Sequence, residues 1–200
     1  MPVGFSKLTM WNMAMSHIGS KSSIQQEDEK SPPANACRLW YPVSRIAALE
    51  AYNWGFARKS SLLTTHSLAA PTLRWGFRYA YPSDCIAPRL IENPLGDEED
   101  TIPFEIENAD DDTICILTNQ EQATLIYTKD VELVDIMPVH FMKMVALYLA
   151  HSIVVEITGK SGNKDRLLRD FEQMAITAPS VDANFGVNKP DRDASWVRGR

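Results

Sequence analysis

Four histidines (His17, His66, His140 and His151), three cysteines and a run of carboxylates are the side chains through which this chain could do chemistry. His140 and His151 stand eleven residues apart in an apolar stretch. On a helix that places them on one face but about 16 Å apart at ~1.5 Å per residue, too far for one metal ion. Neither has a Cys, His or carboxylate three or four residues on, so both read as structural histidines bonded within the fold. Cys37, Cys85 and Cys115 lie 48 and 30 residues apart. An odd number at such spacing fits neither a disulfide framework nor a zinc site, and buried, reduced thiols are expected. The nine glycines form no Gly-x-Ser-x-Gly elbow, phosphate loop or dinucleotide fingerprint.

The carboxylates are concentrated. Glu92 to Asp112 holds ten acids and no base, and without them the net charge of −6 becomes +4. Calcium loops place ligands at alternate positions around a turn glycine. Asp97, Glu98, Glu99 and Asp100 follow Gly96 without that spacing, and Asp110, Asp111 and Asp112 have no glycine nearby. A solvated, self-repelling loop is the expectation. Trp75, Phe77, Tyr79 and Tyr81 alternate along one strand and could stack nucleobases, but only Arg74 and Arg78 flank them. A stacking platform sits in a basic groove, so a packed sheet face is expected. A basic nucleic-acid footprint is missing. No catalytic residue, metal site or cofactor site emerges.

The elements that must position these groups follow from periodicity. With 44% apolar and 23% charged residues the chain can bury a sizeable core. Its longest candidate stretch, Met144 to Val155 between Lys143 and Glu156, falls short of the ~18 residues of a membrane span. Met1 to Gly19 has no secretory pattern, so synthesis in a cytoplasm and no membrane association are expected. The spacing predicts a helix from Ser6 to Ile18 stopped by Gly19. A second is capped by Ser31, with Leu39, Val43, Ile46 and Leu49 as its apolar stripe up to Trp54 and a kink or break at Pro42. From Lys59 the period becomes two: the aromatic strand 75–81 comes first, then a hairpin of Thr113–Thr118 and Ala123–Thr128 around Asn119–Glu121. Val139 to Ile157 is apolar nearly all round and reads as the central helix, followed by a helix from Asn163 to Ala178. Pro179 to Arg200 has no period. The expected architecture is α+β: a helical bundle platform (1–58 and 134–178), a β-rich domain inserted midway (59–133), and an extended C-terminal arm (179–200).

The collinear order of aromatic and small residues carries a resemblance. It runs through Asn12, His17-Ile18-Gly19, Cys37-x-x-x-Tyr41-Pro42-x-x-Arg45, Leu49 and Trp54-Gly55-Phe56-Ala57-Arg58. It continues through Trp75-x-Phe77-x-Tyr79-x-Tyr81-Pro82, Asp84-Cys85, Pro103-Phe104-Glu105 and Thr118-Asn119. Leu125-Ile126-Tyr127, Phe141, Leu149-Ala150, Ile157-Thr158 and Ser195-Trp196-x-Arg198 complete it. Over almost the whole chain this resembles the tail tubular protein A family, the head-to-tail adaptors of short-tailed bacteriophages. Val154 and Val155 are bulkier than the small residues with which the family continues its central helix. The resemblance implies a virion structural protein without catalysis, made in the host cytoplasm. Its homo-oligomeric ring, commonly dodecameric, joins the portal protein to the tail nozzle protein, and DNA passes through without specific binding. It also implies uses for two segments. The acidic residues Asp97, Glu98, Glu99, Asp100, Asp110, Asp111 and Asp112 would line the channel. The arm, through Trp196, Arg198 and Arg200, would dock on the portal or a neighbouring subunit, since a Trp among arginines has the composition of an interface anchor. Two rival classes are a small carboxylate-dependent, wall-degrading hydrolase and an assembly or binding module of the same phage system.

Overall fold

The computed structural model describes residues 4–70, 74–93 and 101–182. It shows the expected α+β class, with four helices and two small antiparallel sheets.

The first helix, α1 (Lys7–His17), starts in a reciprocal cap. Ser6 Oγ accepts the Thr9 amide, and Thr9 Oγ1 accepts the Ser6 amide, both at 3.3 Å. Gly19, at φ +72°, lets the chain leave the helix in the left-handed region. The second helix, α2 (Pro32–Glu50), is capped by Ser31 and opens on Pro32 and Pro33. It does not break at Pro42. That residue is exposed, on the side where a carbonyl left without its helical partner can face water, so the helix continues beyond it.

Nor does α2 reach Trp54. The Trp54 indole folds back to donate to the Ala48 carbonyl at 2.8 Å. Arg89 donates to the carbonyls of Leu49, Glu50 and Tyr52 at 2.9–3.2 Å. A guanidinium on the last carbonyls satisfies acceptors that the helix cannot and opposes its dipole.

The apolar stripe of α2 is also rotated from its expected place. Leu49 is buried, but Leu39 is 67% and Val43 47% exposed. The inward face is Ala34, Cys37, Tyr41, Ser44, Arg45 and Ala48. Small side chains there let α2 close tightly on the central helix, α3 (Val139–Thr158).

Helix α3 packs against α1, α2 and α4 (Lys164–Asp182) and is the axis of the bundle. Phe141, Met144, Val145, Leu149, Ala150 and Ile153 are completely buried. Its 20 residues are long and apolar enough to cross a membrane, yet more than half of its most apolar window is inside this core. Gly159, at φ +66°, ends it. Helix α4 lies antiparallel, held where His140 Nε2 meets the Met174 carbonyl (3.2 Å) and His151 Nδ1 the Lys164 carbonyl (3.1 Å). It passes through the exposed Pro179 to Asp182, so residues 179–182, expected in the arm, are helical. The rest of that arm lies outside the described residues.

The β-rich part comprises β1 (Arg58–Leu62), β2 (Phe77–Ala80), β3 (Cys85–Ile91), β4 (Phe104–Asn108), β5 (Ile114–Thr118) and β6 (Thr124–Lys129). One sheet runs β1-β6-β3, the other β2-β5-β4, all pairs antiparallel. The expected hairpin is therefore absent: β5 and β6 are the central strands of different sheets. The connection between them crosses from one sheet to the other and turns at Gln122 (φ +54°). Both strands are buried on both faces, so each of these antiparallel sheets is covered on both sides along its central strand.

The aromatic face is split as well. Phe77, Tyr79 and Tyr81 enter the core shared by the two sheets, with Ile91, Ile116, Leu125 and Tyr127. Trp75 goes to the opposite face with Cys115 and Leu117. Pairing begins only at Phe77, and the Gly76 amide is taken by Asn119 Oδ1 at 2.7 Å, so strict alternation does not extend back to Trp75.

Candidate assembly surface

The joint between sheets and helices is built from charges. On α2, Arg45 is nearly buried; it pairs with Asp130, donates to the Val131 carbonyl at 2.8 Å and lies 3.6 Å from Glu132. Val131 and Met137 follow into the helical core. Arg89, on β3, spans from the Thr128 hydroxyl to the end of α2. Asp84 accepts from Lys59 Nζ (2.8 Å) and from the Tyr127 hydroxyl (2.7 Å), tying the β2–β3 turn to β1 and β6. The Lys59 hydrogen bond, aided by that of Tyr127, holds the Asp84 carboxyl below the usual carboxylate range.

Beside this joint lies an open cleft of ≈ 300 Å³ lined by Phe56, Arg58, Lys129, Leu133 and Ile136. Leu133 (59%), Ile136 (49%) and Val139 (50%) leave large apolar side chains in solvent on the segment leading into α3. With Leu39 and Val43 they are the main apolar surface that the helical part leaves uncovered among the described residues, beside Val155 and Ile176. Sequence reasoning missed the cleft. Its signal was present in Leu133, Ile136 and Val139 at intervals of three, but the intervening Pro138 masked any helical period.

The acidic candidates divide. Asp97, Glu98, Glu99 and Asp100 lie outside the described residues, as do Trp196, Arg198 and Arg200. Asp110, Asp111 and Asp112 form the exposed turn of the β4–β5 hairpin, with Asp112 at φ +60° and its amide bonded to the Ala109 carbonyl. The stretch before them is not a loop. Glu105 and Glu107 point from β4 to one side, where Glu105 accepts from Trp75 Nε1 at 2.9 Å and Glu107 meets Arg78 at 3.4 Å. Asp111 accepts from both the amide and the hydroxyl of Thr113, and that hydroxyl lowers its carboxyl pKa. Three of these five acids are thus held by neutral or cationic donors; mutual repulsion does not dictate the conformation.

The other chemistry-bearing groups are engaged inside the fold. Burial pushes the Cys37 thiol up to about 12, far from a nucleophilic thiolate at neutral pH. Cys115 is buried and donates to the Glu107 carbonyl, and its pKa is likewise raised by burial. Cys85 is half-buried, contrary to expectation, and donates to the Tyr81 hydroxyl. Among the described residues no group of three His, Cys, Asp or Glu side chains is gathered to hold a metal ion. Asn12, one of the residues that carry the resemblance, clamps the polar loop after α1 by bonding both the amide and the carbonyl of Ile24 at 2.8–2.9 Å. No protein-family model matches this chain, and no curated protein matches it.

Proposed function

We propose that this protein is a structural adaptor at the head–tail junction of a short-tailed phage virion, made in the host cytoplasm. Its subunits form a homo-oligomeric ring between the portal protein and the tail nozzle protein, and DNA passes through the ring without specific binding. The observation that carries this reading is the collinear order of motif residues along almost the whole chain. Their places in the fold support it: Asn12, Arg45, Trp54, Asp84 and Tyr127 occupy the clamps and joints that fix one part of the molecule to another. Apolar side chains left outside on α2 and beside the joint suit a subunit that buries them on assembly.

In this reading the carboxylates of the hairpin turn face the channel, where they repel phosphates over about a Debye length, ~8 Å at physiological salt. The last residues, with Trp196, Arg198 and Arg200, dock on the portal or on a neighbouring subunit.

The test is to mix the protein with its candidate portal and image the product. A ring stacked coaxially on the portal is expected. A protein that stays small, ignores the portal and turns over cell-wall polysaccharide overturns the reading in favour of the hydrolase. Neutralising Asp110–Asp112 should leave the ring intact and slow DNA ejection; unchanged ejection would place those carboxylates away from the channel.

A further inference from the structure

His66 sits in the connection between β1 and β2, and its side chain is only 7% exposed. Its amide donates to the Arg78 carbonyl, which sets it beside β2. Both ring nitrogens are engaged. Nδ1 lies 3.1 Å from the Leu68 amide nitrogen, and a backbone amide can only donate, so Nδ1 must accept. The proton of the neutral ring is therefore on Nε2, which donates to Thr113 Oγ1 at 2.8 Å. The Thr113 hydroxyl passes its own proton towards Asp111 Oδ1. One imidazole thus closes a local turn on one side and grips the β4–β5 hairpin on the other.

We propose that His66 is a pH-operated latch between the β1–β2 connection and the acidic hairpin turn, closed when the ring is neutral and opened at Leu68 when it takes up a proton. The proton comes from solvent and lands on Nδ1, the only ring nitrogen with a lone pair. A donor then faces a donor, and the Leu68 amide loses its acceptor. On the other side the imidazolium strengthens its hold on the hairpin, because Asp111 Oδ2 is 3.8 Å from Nε2. Acidification therefore loosens the connection and tightens the hairpin turn. Asp111 is the charged side chain in contact with the ring; Asp110 and Asp112 flank it in sequence, and the Arg78–Glu107 pair joins β4 to β2, whose Arg78 carbonyl the His66 amide bonds. On β5, Cys115 is buried with its thiol pKa raised by burial. Of these, only Asp111 is paired with the ring.

The latch makes a claim about tautomer that ring nitrogen NMR reads directly in the full-length protein. At neutral pH the His66 ring should carry its proton on Nε2. As the ring titrates, the Leu68 amide should shift with the same midpoint. After correction for intrinsic chemistry, its exchange protection should fall about tenfold, as for one lost hydrogen bond. His66→Asn keeps an acceptor two residues before Leu68 but cannot titrate, so its Leu68 amide should stay protected across the range. A neutral ring protonated on Nδ1, a Leu68 amide indifferent to the His66 titration, or a pH step that survives in His66→Asn would each overturn the latch.

Discussion

Arg45 shows how much one buried guanidinium can organise. It leaves α2 sideways, pairs with Asp130 and holds the Val131 carbonyl, so it fixes where the chain re-enters the helical bundle. Arg45→Met removes those bonds and leaves the carbonyl and carboxylate without it, which should lower stability by about 2–4 kcal/mol in a urea melt. Arg45→Lys should recover only part of that, because an ammonium cannot reproduce the planar fork. Asp84 is a second such point, with a sign set by its lowered pKa. The folded state favours its carboxylate more than the unfolded chain does. The contribution is therefore present at neutral pH and is lost as pH falls through the carboxylate range, once the folded-state group also protonates. Acid unfolding of wild type and Asp84→Asn should converge at low pH and diverge as pH rises; parallel curves would sink the assignment.

At the scale of elements, two leucines separate what is core from what is surface. Leu149, completely buried at the centre of α3, should cost ~2–5 kcal/mol when cut to alanine. Leu39→Ser on α2 should stay within about 0.5 kcal/mol of wild type, since the side chain is already in water. Denaturant midpoints test both. The contrast also marks how far the sequence could be read. Helices α1, α3 and α4 were legible because caps, glycines and a 3.6-residue period agreed. On α2 the larger apolar side chains misled, because burial there follows Ala34, Cys37 and Ala48, whose value is close approach rather than area. Strand β3 was invisible: Pro88 interrupts it and its register shifts twice. Strand β4 was hidden inside an acidic run, although Phe104 and Ile106 alternate with Glu105 and Glu107. Strand pairing was the least legible, since β5 and β6 are adjacent in sequence and only tertiary packing sends them to different sheets. Of the candidate site residues, Asp110–Asp112 were correctly read as exposed. What they bond to could not be read, because Thr113 and His66 are brought together by the sheet.

For the whole molecule, the end of α4 decides how the arm can be tested. Ala178 is completely buried and the helix continues to Asp182, so a cut at residue 180 would remove the end of α4 together with the arm. Removing residues 183–200 should leave the melting transition unchanged and abolish incorporation into a portal complex. Wild-type incorporation of the truncated protein would exclude the arm as the docking element. The same scale shows why two charged ties, Arg45 to the β6 side and Arg89 to the end of α2, matter more than their number suggests. They fix the β1-β6-β3 sheet against the bundle at two separate points.

The strand that leaves the bundle and the strand that returns to it are hydrogen-bonded neighbours, with Arg58 opposite Thr128. That pairing has a kinetic consequence. If the two helical halves had to meet first, they would close a loose loop of roughly 70 residues, an entropic cost of about 4 kcal/mol. Once β1 and β6 have paired, the same two chain ends are already held at strand spacing, about 5 Å, and the halves meet almost as if joined by a short turn. Pairing β1 with β6 closes that same loop, so whichever contact forms first carries the closure cost for both; where it is the strand pair, the bundle is the late event. Refolding kinetics can see this: Leu125→Ala in β6 should slow folding, whereas Leu167→Ala in α4 should chiefly hasten unfolding.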